Sequence, residues 1–251
     1  PEREIKRRDE IGRIQSAQQA AVLAMNGAVS MVAGSEIGRD GYLKYKGKHL
    51  ASEDLHKTIS RIALEHDCLC KDTIAAGGNQ AIDCHEMGHG PLKAHEAIVI
   101  DIFPQHLIHG YWGDLTRTVV KGAPSQNLKK LYLAVKAAQS AALSRVKPGV
   151  KCETVHQAVL DEFKRRGYGT EVVNGVKVGF THSTGHGVGL DIHEAPGVAP
   201  GSKTRLKAGH VITVEPGLYY PDIGGVRIED TVVVTARGWR YLAPCEKKFE
   251  F

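Results

Sequence analysis

The chain has 251 residues, a net charge of +5, 42% apolar and 24% charged residues, which is ordinary globular composition with enough length to bury a real core. No apolar run approaches the roughly 20 residues that a membrane span requires, so no membrane association is expected. The charged N-terminus PEREIKRRDEIGRI has no apolar stretch of the kind a secretory signal needs.

In chain order, the densest basic patch is Arg3, Lys6, Arg7 and Arg8. No aromatic residue interleaves with it to stack bases, so it reads as a solvated lead-in to a helix and no nucleic-acid partner is expected. Residues 9–33 form one long helical pattern, with Ile11, Ile14, Ala17, Ala21 and Ala24 near one face and Gly34 after its end. Residues 35–51, rich in Gly, Lys and Tyr, read as a loop. Ser52 is placed to cap a second helix carrying Leu55, Ile59 and Ile62 on one side. Strand-like runs follow at 97–103 and 111–121. A third helix spans about 125–146 through Leu128, Leu131, Val135, Ala138 and Ala142, and Pro148-Gly149 stops it. A fourth spans about 153–166 and is closed by Gly167. Further strands are expected at 209–214, 225–235 and 239–243. The five cysteines (Cys68, Cys70, Cys84, Cys152, Cys245) are irregularly spaced, which speaks against a disulfide framework or a zinc knuckle and for a reducing cytoplasm. Metal ligands should then be oxygen and imidazole rather than thiolate.

Two stretches have the same plan. IVIDIFPQHLIHGYWGDLTRTVV (98–120) and VITVEPGLYYPDIGGVRIEDTVVV (211–234) each run from an apolar strand ending in a carboxylate, through a Pro-containing turn, to a return strand with a second carboxylate. Each adjoins a pair of helices. The chain therefore reads as two similar halves in an α+β arrangement, with no Pro- or Ser-rich linker between them, as one domain over 1–251.

A carboxylate inside an apolar strand is costly unless something compensates it. Asp101 and Glu215 end such strands, and Asp114 and Glu229 lie on the return strands. Four converging carboxylates repel unless cations sit among them. The bland alternative is pairing with a neighbouring Arg117 or Arg227. The stretch THSTGHGVGLDIHE (181–194) adds His182, His186 and His193, with Gly185 and Gly187 allowing close approach around His186. His85 is a fourth candidate, His89 competes for its role, and His106 and His109 are expected to be solvated.

GHGVGLDIHE, VEPGLY, GVRIED and the pair DIFP and GDLTRT resemble the M24 metallopeptidases across nearly the whole chain. That family includes methionine aminopeptidases, proline-specific aminopeptidases and prolidases. The resemblance implies the pita-bread fold: two pseudo-symmetric halves, with antiparallel hairpins covered by helices. It implies two divalent metal ions, with manganese favoured by the four carboxylates and cobalt, zinc or iron as alternatives. Residue by residue, Asp101 resembles the carboxylate that chelates one metal, Asp114 and Glu229 resemble the two that bridge both, and His186 and Glu215 resemble ligands of the second. Glu215 would also carry a proton toward the leaving nitrogen. His193 resembles the histidine that hydrogen-bonds the substrate near the scissile bond, His85 the one that assists the intermediate or leaving amide, and His182 an extra histidine of the proline-specific branch. Arg227 is expected to orient the bridging ligands.

EPGLY, VRIED, DIFP, GYWGDLTRT and His182 lean toward the proline-cleaving branch. The implied activity is removal of the N-terminal residue from short peptides at a Xaa-Pro bond. A methionine aminopeptidase and a non-catalytic binding module of the same fold are the alternatives. Proline-specific members usually carry an N-terminal domain that caps the site, and this chain starts at Pro1, almost on the first helix, so that domain is not expected within 1–251. A homodimer is a possible assembly.

Overall fold

A computed structural model describes residues 3–173 and 175–251. The four apolar periodicities become α1 (Arg8–Ala33), α2 (Ser52–Glu65), α3 (Gln126–Arg145) and α4 (Cys152–Arg165). The Arg7 amide donates to the Glu10 carboxylate at 2.8 Å, which satisfies one of the amides exposed at the start of α1. The Ser125 hydroxyl does the same for α3 by accepting from the Leu128 amide at 3.1 Å. At α2 the expected cap is off by one residue. Ala51 flanks the helix, its amide donating to Asp54 at 3.1 Å, and Ser52 is buried in the first turn.

Residues 35–51 are not a plain loop. Glu36–Ile37, Leu43–Tyr45 and Lys48–His49 form a small antiparallel sheet. Its turns are closed at Gly41 and Gly47, both with positive φ (79° and 80°), a region open to glycine at little cost.

The first half is built on Ile98–Ile102, flanked antiparallel by Ile74–Gly77 and Leu115–Val119. The second is built on Val211–Val214, flanked antiparallel by Gly185–Gly187 and Asp230–Val234. Glu194–Val198 and Trp239–Tyr241 extend its sheet outward. Side chains alternate across each central strand. Ile98, Ile100 and Ile102 enter the core under α1 and α2 with Ala17, Ala21, Leu55 and Ile59. Ile212 and Val214 enter the other core with Leu131, Val135, Val155 and Val159 of α3 and α4. The opposite faces, carrying Asp101 and Thr213, turn toward the junction between the halves.

The expected strand 225–235 is two strands. Gly224–Arg227 pairs with Gly217–Tyr220, and Asp230–Val234 pairs with Val211–Val214. Between them the backbone binds the other half, the Glu229 amide donating to the Thr116 carbonyl at 3.1 Å. The Thr118 hydroxyl donates to the Arg227 carbonyl (2.8 Å), and the Thr231 hydroxyl to the Asp114 carbonyl (2.8 Å). The expected strand 111–121 is reduced to Leu115–Val119 because Tyr111 closes the preceding turn, its carbonyl accepting from the His106 amide at 2.9 Å.

Two solvated readings are also corrected. His106 and His109 are half-buried and stacked with centroids 3.7 Å apart, and His109 hydrogen-bonds Ser16 at 3.0 Å. In the basic lead-in, Lys6 is buried against the Glu194 carboxylate.

Arg117 is buried and pairs with Asp230 at 2.7 Å rather than with a candidate ligand. Its remaining donors reach the carbonyls of Thr116, Glu229, Cys245 and Glu246, so it fastens the C-terminal segment to the sheet. Arg117→Met strips Asp230 of one cation and leaves those carbonyls short of donors. A loss of about 3–5 kcal/mol is expected in denaturant unfolding, and a loss below about 1 kcal/mol would show that Arg117 is not structural.

Candidate metal centre and active site

The strand registers decide which carboxylates meet. Asp101 lies opposite Thr116, and Asp114, two residues before Thr116, falls on the same face. Val214 lies opposite Asp230, so Glu215 and Glu229 are the next facing positions. Because Glu229 sits where the halves join, the two pairs come together. Asp114, His186 and Glu229 present ligand atoms within 4.8 Å of one another. His186 Nε2 lies 3.2 Å from Glu215 Oε1 and 3.5 Å from Asp114 Oδ2. All five acids and imidazoles line one cavity of about 610 Å³, a size that suits a small peptide.

Local structure holds each group. The Gln18 side chain of α1 accepts from the Asp114 amide (2.8 Å) and donates to the Asp114 carbonyl (2.8 Å). Gly113 lets this turn lie against the α1 backbone, where a Cβ would strike Ala17 and Gln18. At His186, a Cβ on Gly185 or Gly187 would strike the carbonyl of Thr213 or Ala195, so both glycines are needed for strands to close around the imidazole. The Thr213 hydroxyl accepts from the His186 amide (3.0 Å) and donates to Glu215 (3.2 Å).

The electrostatics are those of a crowded anionic site. Burial, then the charge of Asp101, pushes the Asp114 carboxyl well above the usual range. Burial, then the charges of Asp114, Glu215 and Asp101, does the same to Glu229. Burial would also raise Glu215, but its hydrogen bond and ion pair with His186 outweigh it and hold the carboxyl at about 2. For the same reason His186 rises to about 9 against its own burial. Asp101 Oδ2 accepts from Arg227 at 2.7 Å, whereas its buried Oδ1 has no hydrogen-bond partner among the described residues. A lone buried carboxylate oxygen beside acids that burial drives toward protonation is the environment a divalent cation relieves. The donor set, four carboxylates and one imidazole, is hard and oxygen-rich, as manganese and its neighbours prefer. The residues fit such ions.

Around these ligands lies a ring of histidines. His182 Nε2 is 2.9 Å from the Tyr219 hydroxyl, which accepts from Arg227 at 2.8 Å. Arg227 thus spans from Asp101 to Tyr219, and it approaches Glu229 only through the Thr116 hydroxyl, which donates to Glu229 at 2.7 Å. His193 meets the His186 ring edge-on, centroids 4.3 Å apart. Burial lowers both His182 and His193, which favours the neutral form of each ring. His85, itself exposed, lines the cavity beside the half-buried Cys84, while His89 is exposed and outside it. Sequence reading passed over Gln18, Thr116, Thr213 and Tyr219. The last three lie inside the quoted motifs, and the signal was a hydroxyl at a core-strand position. The apolar wall of Ile74, Met87, Phe103 and Ile192 carries no local signal at all.

A family model for metallopeptidase family M24 matches residues 12–236. The chain belongs to this family. Among M24 relatives, a Xaa-Pro dipeptidase of Pyrococcus furiosus is 38% identical over 178 residues, covering 70% of this chain and 48% of that protein. The crystal structure of a prolidase from Pyrococcus horikoshii superposes with a TM-score of 0.85 at 31% identity, over 99% of this chain and 65% of that one. An X-Pro aminopeptidase from Thermotoga maritima gives 0.84 at 26% identity, over 100% and 65%. This M24 chain therefore has the family's pita-bread fold, and it spans about half the length of the curated relatives matched over 178 residues (48%). Among the described residues no helix is long and apolar enough to cross a membrane.

Proposed function

We propose that the chain is the catalytic domain of a dinuclear M24 exopeptidase that removes the N-terminal residue from short peptides, preferring a Xaa-Pro bond. The observation that carries this is the convergence of Asp101, Asp114, His186, Glu215 and Glu229 on one peptide-sized cavity. Asp101 would hold one ion, His186 and Glu215 the other, and Asp114 and Glu229 both. When bound, the ions, most readily manganese, supply an activated water and stabilise negative charge on the scissile carbonyl oxygen. Glu215 takes up a proton and delivers it to the leaving nitrogen. His193 and His85 donate hydrogen bonds to the substrate and the developing charge, and His182, held by Tyr219, faces the same volume. Arg227 fixes Asp101 by one carboxylate oxygen and leaves the other without a hydrogen-bond partner among the described residues, available to an ion.

The proline preference has a physical side. A Xaa-Pro amide has no N–H to offer, so its ring must be held by shape. The wall of Ile74, Met87, Phe103 and Ile192 can do that while neutral imidazoles serve the crowded nitrogen. The names of the relatives support the same branch. The five cysteines are unpaired, which accords with a cytoplasmic site of action. Homodimer assembly belongs to the same reading. The decisive comparison is kcat/KM, with manganese present, for a peptide with proline second against the same peptide with alanine second. Much faster cleavage of the first is expected. Equal values, or faster release of an N-terminal Met, would favour a methionine aminopeptidase, and no hydrolysis with any metal would favour a binding module.

A further inference from the structure

His193 is exposed at the cavity rim, and among the described residues its ring has no hydrogen-bond partner. Its position is therefore set by the backbone that carries it, the turn from Gly189 to Glu194. Trp112 ties the start of that turn, its amide donating to the Gly189 carbonyl (2.9 Å) and its indole to the Leu190 carbonyl (3.2 Å). The end next to His193 is tied by charge. Glu194 receives the Lys6 ammonium on Oε1 and the Arg3 guanidinium on Oε2 (2.7 Å), and Arg3 also reaches Asp191 (2.8 Å). The Lys6 and Glu194 side chains are 2% and 9% exposed, so neither charge can find water in place of the other, and breaking the pair is strongly disfavoured. Gly189 makes room for it, since a Cβ there would strike the Glu194 carboxylate. The lead-in is itself held: the Lys6 amide donates to the Gly209 carbonyl (2.9 Å), and Ile5 pairs with His210.

We propose that Lys6 and Glu194 are positioning residues: their buried ion pair, supported by Arg3, clamps the Gly189–Glu194 turn and holds His193 beside His186. The segment preceding α1 thereby sets the geometry of the site. The inference rests on the peptidase reading for what His193 does, but not for the clamp itself.

The test has two readouts on folded, metal-loaded protein. Lys6→Met keeps the side-chain stem and removes the charge, and Lys6→Arg restores the charge. Lys6→Met is expected to lower kcat on a Xaa-Pro peptide about 10- to 100-fold, with metal content and KM close to those of the parent chain, and Lys6→Arg to recover most of the loss. The His193 Cε1–H resonance in a 1H–13C spectrum of the zinc-loaded protein, where no unpaired electrons broaden it, identified by its disappearance in His193→Asn, is expected to shift or broaden in Lys6→Met. Either readout unmoved in folded Lys6→Met overturns the clamp. If Lys6→Met does not fold, Glu194→Gln is read the same way. If the parent chain hydrolyses no peptide, the peptidase reading fails, and the His193 resonance alone decides the clamp.

Discussion

Glu229→Ala is expected to lower kcat/KM on a Xaa-Pro peptide by roughly 10⁴-fold or more and to abolish binding of both ions, while the metal-free protein keeps or gains stability. Glu229 is 2% exposed, and its hydrogen bond from the Thr116 hydroxyl at 2.7 Å does not offset the crowding. Burial and the charges of Asp114, Glu215 and Asp101 push its carboxyl up, so without a cation this side chain works against folding. Alanine removes that penalty together with the ligand. A residue placed for function at a cost in stability behaves in this way. Elemental analysis and thermal melts with and without manganese test it. Two ions retained per chain in Glu229→Ala would refute the bridging role.

Glu215→Gln separates holding a metal from moving a proton. An amide oxygen can still ligate, but the group can no longer take up a proton and release it. At least one ion per chain should remain, while kcat falls by about 10²- to 10⁴-fold, the usual contribution of a general acid–base group. The ion pair of Glu215 with His186, at 3.2 Å, is lost as well, so His186 should titrate closer to an ordinary histidine in the metal-free variant. If metal content fell to zero along with activity, Glu215 would be a ligand and no more.

Much of the fold was legible because the signals were local and repeated. Leu55 and Ile59 at helical spacing marked α2, although Ala63 and not the expected Ile62 completes its buried side, and acids ending apolar runs marked Asp101 and Glu215. What was not legible depended on distant partners. Ile74–Gly77 and Gly185–Gly187 are short and rich in small residues, with little strand propensity of their own, and become strands by pairing with Ile98–Ile102 and Val211–Val214. The 35–51 sheet is built from strands too short to show alternation. Lys6 sits in a run of basic residues and looks solvated; only the return of Glu194 from far along the chain buries it. Arg227 and Tyr219 lay inside recognised motifs, but that they join His182 to Asp101 follows from the meeting of the two halves, which no window of sequence displays.

The central claim is that Asp101, Asp114, His186, Glu215 and Glu229 hold two divalent ions. The most direct measurement is to dialyse the purified chain against manganese, remove free ions and count bound metal by plasma mass spectrometry. Two ions per chain are expected, and saturation at one, or at none, would contradict it.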